Sequence, residues 1–260
     1  NMRPVARERR APCSAACPAA VPVPRYLHLL HEGRLREAYE VFTLRNPFPA
    51  ITGRVCPHFC ETACNRESYD GPISIRALER YLGDASAGMQ LAGPAGSTGK
   101  KVAVVGSGPA GLSAAYYLRR SGHEVVVYEK RDEPGGLLRY GIPGYRLPAA
   151  VVDAEVARLQ ALGISFRTGQ ALGEQMALED LKGGHDAVVV ATGAWEGQAM
   201  GMPGESLLEA GLEYLEQVAR GRLVLPGRRC AVIGGGNTAM DVARVLRRLG
   251  GEVTVLYRRT

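Results

Sequence analysis

Residues 101–130 read KVAVVGSGPAGLSAAYYLRRSGHEVVVYEK. An apolar run of strand length hands over to Gly106-Ser107-Gly108-Pro109-Ala110-Gly111. An Ala-rich helical stretch follows, and a second apolar run closes at Glu129, 18 positions past Gly111. A lone G-x-G-x-x-G carries little weight, but the strand before it, the helix after it and the distal carboxylate make it a dinucleotide-binding fingerprint. Gly106 permits the tight turn, Gly108 lets a pyrophosphate approach the backbone, and Gly111 lets helix and strand pack closely. The helix N-terminus offers N–H groups and a positive dipole end to phosphates. Glu129 can accept hydrogen bonds from ribose hydroxyls. The bland alternative is a plain tight turn in an α/β protein.

The same unit occurs twice. Residues 229–258, RCAVIGGGNTAMDVARVLRRLGGEVTVLYR, align with 101–130 without a gap, at an offset of 128. Gly234 takes the place of Gly106, Gly236 that of Gly108, and Ala239 that of Gly111, a substitution the fingerprint allows. Tyr257 stands where Glu129 does and is followed by Arg258 and Arg259. A carboxylate there favours free ribose hydroxyls and repels a 2′-phosphate, whereas arginine pairs with that phosphate bidentately. The first unit therefore reads as an FAD or NAD site and the second as an NADPH site, against the bland reading of a solvated strand end. Between them, KGGHDAVVVATGAW holds an apolar strand, Ala187 to Ala191, running into Thr192-Gly193, where a glycine lets a nucleotide or another chain come close. Two dinucleotide units in one chain point to a flavin–pyridine nucleotide enzyme. A disulfide reductase also needs a vicinal Cys pair beside its flavin; no Cys lies between Cys64 and Cys230, which excludes that branch. Cys230, opening an apolar strand, reads as a buried structural thiol.

Upstream the pattern changes to helices and cysteines. Cys13 and Cys17 form C-x3-C-P, and Cys56, Cys60 and Cys64 form C-x3-C-x3-C. An odd five argues against a disulfide framework. The spacing is compatible with an iron–sulfur cluster, for which Cys-Pro and a compact run of thiolates are typical, with zinc, or with plain buried thiols. His58 reads as a surface-loop histidine. PRYLHLLHEGRLREAYEVFTLRN (residues 24–46) shows helical spacing broken at Gly33, and PISIRALERYLGDASAGMQ (residues 72–90) predicts a third helix with Pro72 in its first turn. LAGPAGSTG (residues 91–99) has linker composition. A helical domain this small is expected to depend on its metal.

The chain has 260 residues, 46% hydrophobic and 22% charged, an ordinary globular balance that excludes wholesale disorder. The net charge of +6 rests on 28 arginines and 4 lysines scattered in ones and twos without interleaved aromatics. Nucleic acid is therefore not an expected partner. No apolar run approaches the ~18 residues of a membrane span. Asn1-Met2 leads into Arg-Pro rather than a secretory leader, so a cytoplasmic location is expected.

Taken together, the motifs resemble the small, NADPH-oxidising subunit of glutamate synthase and its relatives, including the N-terminal half of dihydropyrimidine dehydrogenase. APCSAACP, NPFPAITGRVCPHFCETAC and GPISIRALER resemble that family's iron–sulfur domain. GSGPAGLSAAYYL, PGGLLRYGIPGYRLP, ATGAW and GGGNTAMD resemble its FAD and NADPH segments. The resemblance implies an α/β fold: a helical [4Fe-4S] domain over residues 1–92, a linker over 93–100, a Rossmann-like FAD-binding domain over 101–200, and the start of a second, NADPH-binding one over 201–260. It implies one cluster on Cys17, Cys56 and Cys60 with Glu79 where relatives place Gln or Glu. A second would use Cys13 and Cys64 with an upstream C-x2-C pair that this sequence does not contain. Cofactor contacts are expected from Gly106, Ser107, Gly108, Pro109, Ala110, Gly111, Glu129, Lys130, Gly136, Leu137, Arg146, Thr192 and Gly193, the first fingerprint among them reading as the FAD site. NADPH contacts are expected from Gly234, Gly236, Asn237, Thr238, Ala239, Asp241, Arg258 and Arg259.

The implied chemistry is NADPH oxidation through FAD and clusters to a larger partner subunit, of glutamate synthase type in the leading reading. An electron-bifurcating transhydrogenase or another redox complex shares every motif. A non-catalytic flavin and iron–sulfur relay or assembly module is the alternative of another class. Family members continue past the second strand of the NADPH unit, so a longer protein is expected.

Overall fold

A computed structural model describes residues 10–94, 96–197, 201, 203–222 and 225–258. They divide between Ala92 and Gly93 into two compact units. The first is all helical: α1 (Pro12–Ala16), α2 (Val23–His31), α3 (Leu35–Thr43), α4 (Pro49–Val55), α5 (Phe59–Thr62) and α6 (Ile75–Ala85). Gly33, at φ +72°, breaks the α2–α3 pair as its sequence predicts. The third expected helix is shorter than its pattern: Ser74 is its N-cap and Pro72 stands outside it. The short helices α1, α4 and α5 lack enough turns to show a period. Tyr26, Leu29, Ala38, Tyr39, Phe42, Ile51, Ile75 and Leu82 form the core of this unit. Helices α4 and α6 cross in close contact at two glycines. A Cβ on Gly83 would stand 2.2 Å from the Ala50 backbone nitrogen, and one on Gly53 would stand 2.4 Å from that of Arg80.

The second unit contains β1 (Lys101–Val105), α7 (Pro109–Arg120), β2 (Glu124–Tyr128), α8 (Leu137–Tyr140), α9 (Ala149–Ala161) and β3 (Ser165–Arg167), then α10 (Leu178–Gly184), β4 (Ala187–Val190), α11 (Gly211–Ala219), β5 (Arg229–Ile233), α12 (Asn237–Arg248) and β6 (Glu252–Leu256). Four parallel strands make one sheet in the order β3-β2-β1-β4. Ala103, Val105, Val126 and Tyr128 pack on Leu181, while the alternate residues Val102, Val104, Val125 and Val127 are buried as well. Strands β1 and β2 are covered on both faces, the usual state of parallel strands, which explains their unbroken apolar runs.

Strands β5 and β6 form a separate parallel pair. Its register, Arg229 opposite Glu252, repeats Lys101 opposite Glu124 at the offset of 128 seen in the sequence. Tyr214, Leu215, Val232, Val242, Val245 and Leu246 form its core. Cys230, expected to be buried, is half-buried there: it packs on that core and its thiol donates to the Gly227 carbonyl at 3.1 Å. The linker-like stretch after Gly93 is held against this unit, since the Thr98 N–H donates to the Gly122 carbonyl at 3.0 Å. No helix among the described residues is long and apolar enough to cross a membrane.

Candidate cofactor sites

The nucleotide cleft is built where β1 gives way to α7. Gly106 turns the chain at φ +102°, and a Cβ on it would stand 2.3 Å from the Ala191 carbonyl oxygen. One on Gly111 would stand 1.9 Å from the Gly106 carbonyl oxygen, so helix and turn close only because both lack side chains. Gly108 differs: nothing lies within 4 Å of its Cβ position, which opens into the cleft. Of the expected cofactor-binding residues, Gly106, Ser107, Gly108, Pro109, Ala110, Glu129, Lys130, Gly136, Leu137, Thr192 and Gly193 all line one cavity of about 370 Å³. Gly111 lies beneath it in the first turn of α7.

A hydrogen-bond network holds the cleft wall. Glu129, at the end of β2, is 5% exposed. Its Oε2 accepts the Ser107 N–H at 2.9 Å and the Ser107 hydroxyl, and its Oε1 accepts the Arg131 N–H at 2.9 Å. The Ser107 hydroxyl oxygen accepts the Gly135 N–H at 3.0 Å, which brings the PGG segment over the glycine turn. A carboxylate oxygen has two lone pairs, so Glu129 keeps acceptor capacity for a ribose hydroxyl beyond these bonds.

Trp195, which closes the ATGAW motif, belongs to the same region as Arg131 and Glu216, which lie in no motif. The Arg131 guanidinium lies 3.5 Å from the Trp195 ring centre and forks onto Glu216 at 3.0 and 2.7 Å. That fork holds the Glu216 carboxyl below its ordinary range. Arg131 and Trp195 line the cleft, where an aromatic face and a fixed guanidinium plane form one wall.

In the second unit the Gly234 N–H donates to the Leu256 carbonyl at 2.8 Å, as the Gly106 N–H donates to Tyr128 at 2.7 Å. Gly236, Asn237 and Thr238 are exposed at the start of α12, Ala239 packs on the core, and Arg258 is exposed. A Cβ on Gly235 would stand 2.6 Å from the Tyr257 ring. Tyr257 thus lies against Gly235 where Glu129 clasps Ser107. Arg259 lies outside the described residues. Arg146 and Asp241, both expected among the cofactor-binding residues, are bonded to each other across 95 residues.

The cysteine site lies in the first unit. Cys13 lies in α1 and Cys17 caps it, Cys56 caps α4, Cys60 lies in α5, and Cys64 precedes the 3-10 turn Asn65–Ser68. None of the six cysteines is in a disulfide. Burial pushes the Cys60 thiol up to about 11, with Cys17, Cys56, Glu61 and Glu79 adding to the rise. Burial also raises Cys56, and the His58 N–H, donating to its sulfur at 3.4 Å, opposes that rise. His58 itself is a half-buried left-handed residue at the start of α5. Glu79 is 9% exposed, with its carboxyl raised by burial to about 7, and Thr52 donates to it. Cys17, Cys56, Cys60 and Glu79, 62 positions apart at the extremes, therefore share one electrostatic neighbourhood. Among the described residues no three His, Cys, Asp or Glu side chains converge on a single-ion site. A four-iron cluster takes one protein ligand at each iron, so its ligands stand farther apart than those of one ion. The residues present fit a [4Fe-4S] cluster in chemistry and number.

The fold and the paired glycine turns define a two-dinucleotide flavoprotein with an iron–sulfur domain in front. Residues 100–260 match the pyridine nucleotide-disulphide oxidoreductase family, and residues 7–91 match dihydropyrimidine dehydrogenase domain II, 4Fe-4S cluster. The chain belongs to the pyridine nucleotide-disulphide oxidoreductase family. It is 38% identical over 264 residues to the NADPH-Fe(3+) oxidoreductase subunit beta of Geobacter sulfurreducens, covering 96% of this chain and 39% of the relative. It is 39% identical over 268 residues to the glutamate synthase [NADPH] small chain of Azospirillum brasilense, covering 95% and 56%. The structure of Mycobacterium tuberculosis FprA in complex with NADPH matches 62% of this chain and 43% of its own with a TM-score of 0.54 at 25% identity. These matches support FAD, NADPH and [4Fe-4S] as the cofactors of this oxidoreductase. The chain spans 39% to 56% of the length of these two relatives.

Proposed function

We propose that this chain is the electron-input part of a multi-subunit cytoplasmic oxidoreductase, taking electrons from NADPH and delivering them to a larger redox partner. The observation that carries the reading is the duplicated glycine turn with unlike ends, Glu129 on Ser107 in the first copy and Tyr257 on Gly235 in the second. In this reading residues 101–200 hold FAD and residues 201–260 begin the NADPH domain. FAD held in the first cleft would supply the means to accept a hydride from NADPH and release electrons singly to iron–sulfur clusters. The chain's own work is positional. Ser107, Gly108 and Ala110 present backbone to the pyrophosphate, Glu129 accepts the ribose hydroxyls, and Arg131 with Trp195 walls the cleft. Arg258, with Arg259 next to it in the sequence, would supply positive charge for the 2′-phosphate. Cys17, Cys56, Cys60 and Glu79 hold one cluster, and Cys13 and Cys64 contribute to a second.

The partner is a glutamate synthase-type large subunit in the leading reading, supported by 39% identity over 95% of this chain to a glutamate synthase small chain. A metal-reducing partner is the second reading, supported by 38% identity to an NADPH-Fe(3+) oxidoreductase subunit. Anaerobic affinity purification of the tagged protein from its own cells, followed by assays of the co-purifying subunit, separates the two. NADPH- and glutamine-dependent conversion of 2-oxoglutarate supports the first; its absence alongside NADPH-dependent ferric reduction supports the second.

A further inference from the structure

Tyr26 lies in α2, is 0% exposed, and stands edge-on to the Phe42 ring at 5.2 Å between centres. Its hydroxyl meets no hydrogen-bond partner. Three other buried polar groups of this unit are met: Ser14 accepts the Val23 N–H at 3.0 Å, Thr43 donates to the Glu40 carbonyl at 3.2 Å, and Glu79 receives Thr52. A buried hydroxyl left without a partner is costly, so its persistence calls for an acceptor. What surrounds this one is specific. Helix α2 lies against α1, which carries Cys13 and Cys17, and α1 lies against α5, which carries Cys60, so this hydroxyl belongs to the helices that bring the candidate cluster ligands together; burial, with Glu79, Cys60, Cys13 and Cys17, pushes the phenol above its ordinary range.

We propose that Tyr26 donates its hydroxyl hydrogen to a sulfur of the iron–sulfur cluster held by Cys17, Cys56, Cys60 and Glu79, and so raises the potential of that cluster. The inference rests on the cluster assignment above. Sulfur, as thiolate or sulfide, is an acceptor of the right charge for a phenol that finds no oxygen partner. A hydrogen bond to sulfur stabilises the reduced cluster, which carries one more negative charge, over the oxidised one. The donor is fixed by the Phe42 contact and by its burial, so water does not replace it.

The test uses the anaerobically purified holoprotein and three measurements: iron and sulfide content, midpoint potential by redox titration followed by EPR, and Fe–S vibrational bands in H2O and D2O. Tyr26→Phe is expected to keep its iron and sulfide, to lower the midpoint potential of one cluster, and to lose a deuterium shift present in the wild type. Full cluster content with unchanged potential and an unchanged deuterium shift overturns the proposal. Wild-type protein without iron overturns the cluster assignment instead. Should Tyr26→Phe fail to fold, 3-fluorotyrosine at position 26 keeps the ring and strengthens the donor. Its midpoint is then expected to move upward, and an unmoved midpoint overturns the proposal.

Discussion

The Glu129 carboxylate accepts both the N–H and the hydroxyl of Ser107, and the residues that stand in their places 128 positions on are Tyr257 and Gly235. The strands, helix and glycine turn around the two pairs are otherwise the same. In the first copy an anion is held at the strand end by donors from the turn. In the second, an aromatic ring covers a bare glycine and a guanidinium follows on the chain. In the proposed reading one scaffold would offer a carboxylate to hydroxyls at one site and positive charge to a phosphate at the other.

Gly108→Val places a branched side chain in the space where the cleft is open. Its φ of −69° suits any residue, and no protein atom lies within 4 Å of its Cβ, so the fold should survive. Flavin content after gel filtration is expected to fall to nearly nothing while iron content is unchanged. A variant that retains full FAD would mean that the cofactor lies elsewhere.

The Arg258→Ala, Arg259→Ala double variant should weaken NADPH binding by about ten- to a hundredfold. A charge-assisted hydrogen bond is worth roughly 1.5–3 kcal/mol, and about 1.4 kcal/mol is tenfold in affinity. NADH, lacking the 2′-phosphate, should bind nearly as before. Calorimetric titration with both nucleotides reads the difference. Equal weakening of the two assigns the arginines to the pyrophosphate or to the fold.

Arg146 and Asp241 tie the PGGLLRYGIPGYRLP segment to α12, and the Asp241 side chain is 5% exposed. Removing the arginine strands a buried carboxylate, at a cost of about 3 kcal/mol. Arg146→Ala is expected to lower the melting temperature of the nucleotide-binding unit by several degrees. Arg146→Met combined with Asp241→Leu should recover most of the loss. Differential scanning calorimetry checks both, and an unaltered transition in Arg146→Ala would show that the pair adds nothing.

Gly83→Leu drives a side chain into the backbone of α4, whose last residues carry Cys56 into place. Overpacking of this kind costs on the order of 2 kcal/mol, and the α4–α6 crossing also sets Thr52 against Glu79. Loss of bound iron with retention of flavin is the expected outcome of anaerobic purification. Full iron content would show that the crossing can relax without disturbing the cysteines.

The duplicated turns were legible because each glycine acts on its immediate neighbours and because the same order of residues recurs at one offset. The helices broken at Gly33 were legible by period. The Arg131–Glu216 fork was not, since its partners lie 85 residues apart and either residue alone reads as ordinary surface charge. Arg146 and Asp241 each stand in a legible motif, but their pairing depends on how the segment between them folds. The grouping of Cys17, Cys56, Cys60 and Glu79 came from family resemblance rather than spacing. The helices that assemble it have too few turns to announce themselves, and the two glycines that let α4 meet α6 look like helix breakers in the sequence.

Anaerobic titration of the purified protein with NADPH, followed by flavin absorbance and by EPR of the iron–sulfur centre, tests the central claim most directly. Flavin and iron should both be present, NADPH should bleach the flavin, and the signal of a reduced cluster should follow. Flavin and iron both present yet left oxidised by NADPH, while dithionite reduces them, would contradict it.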